Sequence, residues 1–144
     1  MEIRPATDVQ RIIAAEALFD SPVQAAEADK FLRRQGHHLL IAYDDDGTPV
    51  GFVSGVEMVH PDKGTEMFLY ELGVSDGHRR KGYGRALVTA LAELARDRDC
   101  YGMWVLTEGE NDAALATYRA TGAERPDDDD TNMLAWDFTP TPAP

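Results

Sequence analysis

The stretch Leu72-Gly73-Val74-Ser75-Asp76-Gly77-His78-Arg79-Arg80-Lys81-Gly82-Tyr83-Gly84-Arg85-Ala86-Leu87 decides how this chain is read. It opens as the end of an apolar strand that begins near Glu66 and carries Met67, Phe68, Leu69, Tyr70, Leu72 and Val74. It closes in a helix predicted over 83–97, where Ala86, Leu87, Ala90, Leu91 and Leu94 share one face. At the junction of strand and helix stand three cationic side chains followed by two glycines two residues apart. Gly82 and Gly84 have no Cβ, so an anion can approach the backbone closely. The helix behind them aims its unsatisfied N–H groups and the positive end of its dipole at the loop. Arg79, Arg80 and Lys81 add charge on the same side. The segment describes a pyrophosphate cradle built mostly from main chain.

Two common cradles do not fit. A nucleotide P-loop needs a longer glycine spacing and a Lys-Ser/Thr pair, which are absent. A dinucleotide fingerprint needs a third glycine three residues beyond Gly84, and Leu87 stands there. Gly73 is a separate signal, because glycine inside a strand marks a bulge or a close approach of another group.

Upstream, Thr7 or Asp8 can cap a helix running to about Phe19, and Asp20-Ser21-Pro22 interrupts it. A second helix is predicted over 23–34, with Gly36 just past its end. Strands over 38–43 and 50–59 flank the turn 44–49, so Asp44, Asp45 and Asp46 read as a solvated hairpin tip. These three lack the further ligands of a calcium loop, and no metal site is expected. Downstream come a strand over 101–107, a helix over 111–121 closed by Gly122, an exposed acidic run Asp127 to Asp130, and a last strand over 132–138. Residues 139–144 read as a loose tail. Nothing divides residues 1–138, so a single α/β (α+β) domain around one mixed sheet is expected.

The chain has 144 residues with a formal net charge of −12 and a pI near 4.6. That balance argues against a nucleic-acid surface and favours cationic partners. No apolar run reaches the ~20 residues of a membrane span, and the first residues lack a secretory pattern, so a cytoplasmic protein is expected. Cys100 is the only cysteine and reads as packing.

Asn111, Ala114, Tyr118 and Gly122 follow the glycine segment at intervals that put the first three on one helical face. Asn111 is also a plausible cap and Tyr118 a plausible core aromatic. With Arg79-x-x-Gly82-x-Gly84 before it, the set resembles the two motifs of the GNAT superfamily of N-acetyltransferases, firmly from residue 66 to 122. The resemblance implies a mixed sheet of six to seven strands with about four helices. It also implies acetyl-CoA as acyl donor and a frequent homodimer. By the same resemblance, Leu72, Gly73 and Val74 pair with the pantetheine arm. Arg79, Arg80, Lys81, Gly82, Tyr83, Gly84 and Arg85 hold the pyrophosphate, and Asn111 and Ala114 contact the cofactor. Tyr118 protonates the departing thiolate, a role that suits a phenol of pKa ~10 beside a thiol of ~8.5.

An amine acceptor must lose a proton as it attacks, so a carboxylate is expected beside the cofactor. Glu71 is the candidate, since alternation puts it on the face of Gly73. The run from Phe68 to Ser75, then His78-Arg79-Arg80, resembles the aminoglycoside 3-N-acetyltransferase branch, enzymes of antibiotic resistance. So do the stretch 105–118 and Trp136-Asp137-Phe138. On that resemblance Tyr70, Glu71, Glu108, Glu110 and Asp112 bind a cationic substrate. Two positions depart from the branch, with Glu71 standing for an aspartate and Asn111 for an acid. Acetylation of a polyamine, a protein N-terminus or a lysine is the alternative, as is a CoA-binding module without turnover.

Overall fold

The computed structural model describes residues 1–124. Five strands form one sheet in the order β1-β2-β3-β4-β5: Glu2–Pro5, His37–Tyr43, Pro49–His60, Gly64–Val74 and Met103–Val105. The first four are antiparallel neighbours, and β5 runs parallel to β4. Four helices cover the sheet: α1 (Val9–Ala14), α2 (Ala25–Arg33), α3 (Tyr83–Asp97) and α4 (Asp112–Ala120). The expected helix count is met. The sheet has five strands among the described residues rather than six to seven, and the predicted strand over 132–138, the acidic run 127–130 and the tail 139–144 lie outside them.

Each face of the sheet has its own core. On one side Ile12, Ala15 and Ala28 of the α1–α2 region pack on Leu39, Ile41, Tyr43 and Phe52. On the other, Leu87, Val88, Leu91 and Ala95 of α3 and Tyr118 of α4 pack on Val53, Met67 and Leu69. α3 lies close against β3 because β3 offers no side chain where the leucines press. A Cβ on Gly55 would stand 2.8 Å from Leu91 Cδ1, and one on Gly51 would stand 3.1 Å from Leu87 Cδ1.

Two predicted elements come out shorter. The first helix stops at Ala14, and a 3₁₀ turn over Glu16–Leu18 carries the chain on. That tighter turn brings Phe19 onto Phe52, edge to face with centroids 4.8 Å apart. The strand predicted over 101–107 shrinks to Met103–Val105, because the chain pairs with β4 only from Met67↔Met103 to Leu69↔Val105. Asp44 folds the hairpin tip as expected, its Oδ1 accepting from the N–H groups of Asp46 and Thr48 at 3.0 and 2.9 Å. No group of side chains able to hold a metal ion occurs among the described residues, and no helix there is long and apolar enough to cross a membrane.

Candidate active site

β4 organises the site. Its ladder to β5 ends at Leu69, while the strand continues to Val74, so Tyr70–Val74 have no strand partner on that edge among the described residues. Main-chain groups left unpaired on a strand edge can take an extended ligand as a further strand. Leu72, Gly73 and Val74, which the resemblance assigns to the pantetheine arm, lie in this stretch.

A register shift on the other edge sets which side chains face where. Ser54 pairs with Glu71 but Gly55 pairs with Leu69, so Tyr70 is the extra residue of a β-bulge. Before the bulge Met67 and Leu69 point into the α3 core; after it Leu72 and Val74 do. On the opposite face, Tyr70 and Glu71 line one cavity although they are sequence neighbours. The bulge sits at Tyr70 and not at Gly73, where the sequence allowed one. Gly73 is required by packing, since a Cβ there would meet Phe52 Cε1 at 2.6 Å.

The cavity has a volume of about 290 Å³ and lies between β3, β4 and the α1–α2 region, with Glu71, Ser54 and Tyr70 on one wall and Phe19, Val23 and Phe31 on another. Glu27, which pairs with exposed Lys30 at 3.6 Å, is the second carboxylate in its lining, and no Lys, Arg or His takes part among the described residues. Burial holds the Glu71 carboxyl above the ordinary carboxylate range, and the negative charge of Asp20 pushes the same way. A carboxylate made more basic in this way is a better proton acceptor. Glu108, Glu110 and Asp112 are exposed and do not line this cavity. Glu108 and Glu110 lie before α4, and Asp112 opens its first turn.

The loop after β4 carries two left-handed residues, Arg80 (φ 61°) and Gly82 (φ 88°). Together with the extended Arg79, they turn the chain sharply from the end of β4 into α3. Gly82 is the N-cap of α3 and offers no side chain to cap it, so the first N–H groups of that helix keep their dipole end open. Arg80 and Lys81 are exposed, and no carboxylate among the described residues lies within ion-pairing reach of either. Arg79 leans back, pairing with Asp76 at 3.2 Å. Arg85 and Gly82 border a second hollow of about 460 Å³ along α3. The two glycines differ in role. Gly82 supplies the left-handed turn, whereas Gly84 lies where α4 sits against the start of α3, and a Cβ there would stand 3.6 Å from Thr117 Cγ2, an ordinary contact.

The second motif thus lies on the α3 face of the sheet, whereas the Glu71 cavity opens on the α1–α2 face. Asn111 caps α4, its Oδ1 accepting from Ala114 N–H at 3.1 Å. Tyr118 lies in the α3-side core, which Leu72, Val74, Tyr83 and Ala114 flank. Burial raises its phenol above the usual value, so it stays protonated through the neutral range and can act as a donor.

Some of the site was not foreseen from sequence. Phe19, Phe52 and the carboxylates Asp20 and Glu27 belong to the α1–α2 side, where no motif marks them. Asp20-Ser21-Pro22 signalled a break, but only the folded structure turns that break into a cavity wall.

The sequence model of the acetyltransferase (GNAT) family matches residues 7–123. The chain belongs to that family, whose members transfer acetyl groups from acetyl-CoA. The N-alpha-acetyltransferase RimI of Mycobacterium tuberculosis is 32% identical over 82% of this chain and 73% of its own length. A probable N-acetyltransferase, family 8 member 5, of Mus musculus is 28% identical over 80% of this chain, which spans about half (53%) of that protein. An aminoglycoside acetyltransferase from an uncultured soil metagenomic sample, solved in complex with sisomicin, superposes with a TM-score of 0.81 over 97% of this chain and 96% of its own. At 18% identity that likeness is one of fold.

Proposed function

We propose that this chain moves the acetyl group of acetyl-CoA directly to a primary amine of a cationic small molecule, with both bound at once. The observation that carries the reading is the half-buried Glu71 carboxylate, set in a cavity beside the unpaired stretch Tyr70–Val74. In this reading the pantetheine arm lies along Leu72, Gly73 and Val74. The pyrophosphate rests on the loop from Arg79 to Gly84 and the open N-terminus of α3, with Arg85 on its flank and the Asn111–Ala114 turn at the thioester end. The neutral amine attacks the thioester carbonyl; Glu71 takes its proton, directly or through one water. The C–S bond breaks as the tetrahedral centre collapses, and Tyr118 gives its proton to the departing sulfur. Amide and CoA thiol are the products, and no acetyl-enzyme forms.

Charge supports a cationic acceptor. Two carboxylates, Glu71 and Glu27, line the cavity and no cation does so among the described residues, although Glu27 also pairs with exposed Lys30 at 3.6 Å; the chain as a whole has a net charge of −12. Glu108, Glu110 and Asp112 add to the same field from the loop before α4 and its first turn. Aminoglycosides, acetylated at the 3-amine in the branch the sequence resembles, are the first class to assay. The sequence likeness to RimI favours a second reading, transfer to a protein N-terminus. The test is CoA-thiol release with gentamicin, spermidine and short peptides. Release with the small amines and not the peptides supports the first reading, and the reverse supports the second. Tight acetyl-CoA binding without release on any of them contradicts both.

A further inference from the structure

The mouth and the floor of the Glu71 cavity ask for different chemistry. At the mouth stand Glu71, Glu27, Gln24 and the exposed Tyr70, with half-buried Ser54 paired beside Glu71. The floor is apolar. Phe52 is 2% exposed and Phe19 meets it edge to face, while Ile12, Val23, Phe31 and Leu39 close the remaining sides. The wall is held in shape from outside, because Glu16 Oε2 accepts from Val23 N–H at 2.7 Å and fixes the loop between Phe19 and α2.

We propose that this floor receives an alkyl or aryl group carried by the acceptor next to its amine, so that the site selects small amines with an apolar substituent over hydroxylated ones. The inference rests on the transferase reading above and narrows its acceptor. The ammonium group meets Glu71 and Glu27 at the mouth, loses its proton there, and the apolar group fills the space over Phe52. A hydroxyl placed in that space finds no hydrogen-bond partner on the Phe19–Phe52 side and gives up its water for nothing. Aminoglycosides match the charge of the mouth and not the lining of the floor.

The experiment compares kcat/KM for phenethylamine and isoamylamine with that for ethanolamine and glucosamine at saturating acetyl-CoA. A preference of at least about tenfold for the apolar pair is expected, the discrimination one or two buried methylenes give. Equal rates, or faster transfer to the hydroxylated pair, overturn the inference and leave the transferase reading standing. Acetyl-CoA binding with no transfer to any of the four, nor to gentamicin or spermidine, overturns the transferase reading and this one with it. Phe19→Ala opens the floor and should move the preference toward bulkier amines. An unchanged KM for acetyl-CoA shows that the variant is folded, and an unmoved preference in that variant contradicts the assignment of the floor.

Discussion

A Cβ on Gly73 would stand 2.6 Å from Cε1 of Phe52, closer than any real contact. The Phe52 ring therefore lies under the strand that borders the proposed cofactor path, and one packing contact ties that path to the acceptor cavity. Gly73→Ala should destabilise the fold by about 1–3 kcal/mol, the cost of overpacking a filled core. Phe52→Leu should recover part of that loss in the double variant. Urea unfolding of the four proteins measures the coupling, and strictly additive losses would contradict the contact.

Glu71→Gln should lower kcat/KM by about 10²–10⁴, the usual contribution of a positioned general base. Its pKa is raised, so wild-type activity should fall as pH drops through that raised value, and the variant should lose this limb. The sign for stability is opposite. A group whose folded pKa is raised stabilises below the unfolded value of about 4.3 and loses that contribution as pH rises through the folded value. At neutral pH the variant should be at least as stable as wild type while being far less active. A pH–rate profile beside thermal unfolding checks both.

Tyr118→Phe should reduce kcat by about 10²-fold or more with little change in acetyl-CoA affinity, since the ring stays in the core and only the donor is lost. Single-turnover kinetics and calorimetry separate the two quantities. A proportionate loss of CoA affinity would show that the hydroxyl binds rather than donates.

Away from the site, Glu57 accepts from His38 Nε2 at 2.7 Å and from Arg98 Nε at 3.2 Å. Burial raises the Glu57 carboxyl, but these hydrogen bonds and the Arg98 charge outweigh it and leave the pKa below the usual range. A lowered pKa adds stability above the unfolded value of about 4.3, and that stability is lost as pH falls through the folded value. Glu57→Gln should cost about 1–3 kcal/mol near neutrality. The gap from wild type should close in acid, as unfolding at several pH values will show.

The parts legible in the sequence were those with local signatures. The limits of α3 follow from the Gly82 turn and the apolar face of 83–97, and the Asn111 cap and the Asp44 turn follow from single side chains. Glu71 was found because alternation holds between it and Gly73. Alternation fails one residue earlier, at the Tyr70 bulge, which shows only in cross-strand register. The left-handed Arg80 was hidden for a related reason, since arginine carries no local mark of positive φ. The apolar floor joins Phe19, Val23 and Phe31 to Phe52, residues brought together only by the packing of α1 and α2 on β3. Nothing local in the sequence encodes that meeting. The three acids Glu108, Glu110 and Asp112 rest on the family resemblance and the acidic charge balance, and the fold sets them apart from the cavity lining.

The most direct test measures initial velocities of CoA-thiol release over a grid of acetyl-CoA and amine concentrations, with gentamicin, spermidine and phenethylamine as amines. Direct transfer in a ternary complex predicts intersecting double-reciprocal lines, with CoA release that needs the amine. Parallel lines with CoA released and acetyl retained on the protein before amine is added, or no release with any amine, would contradict the account.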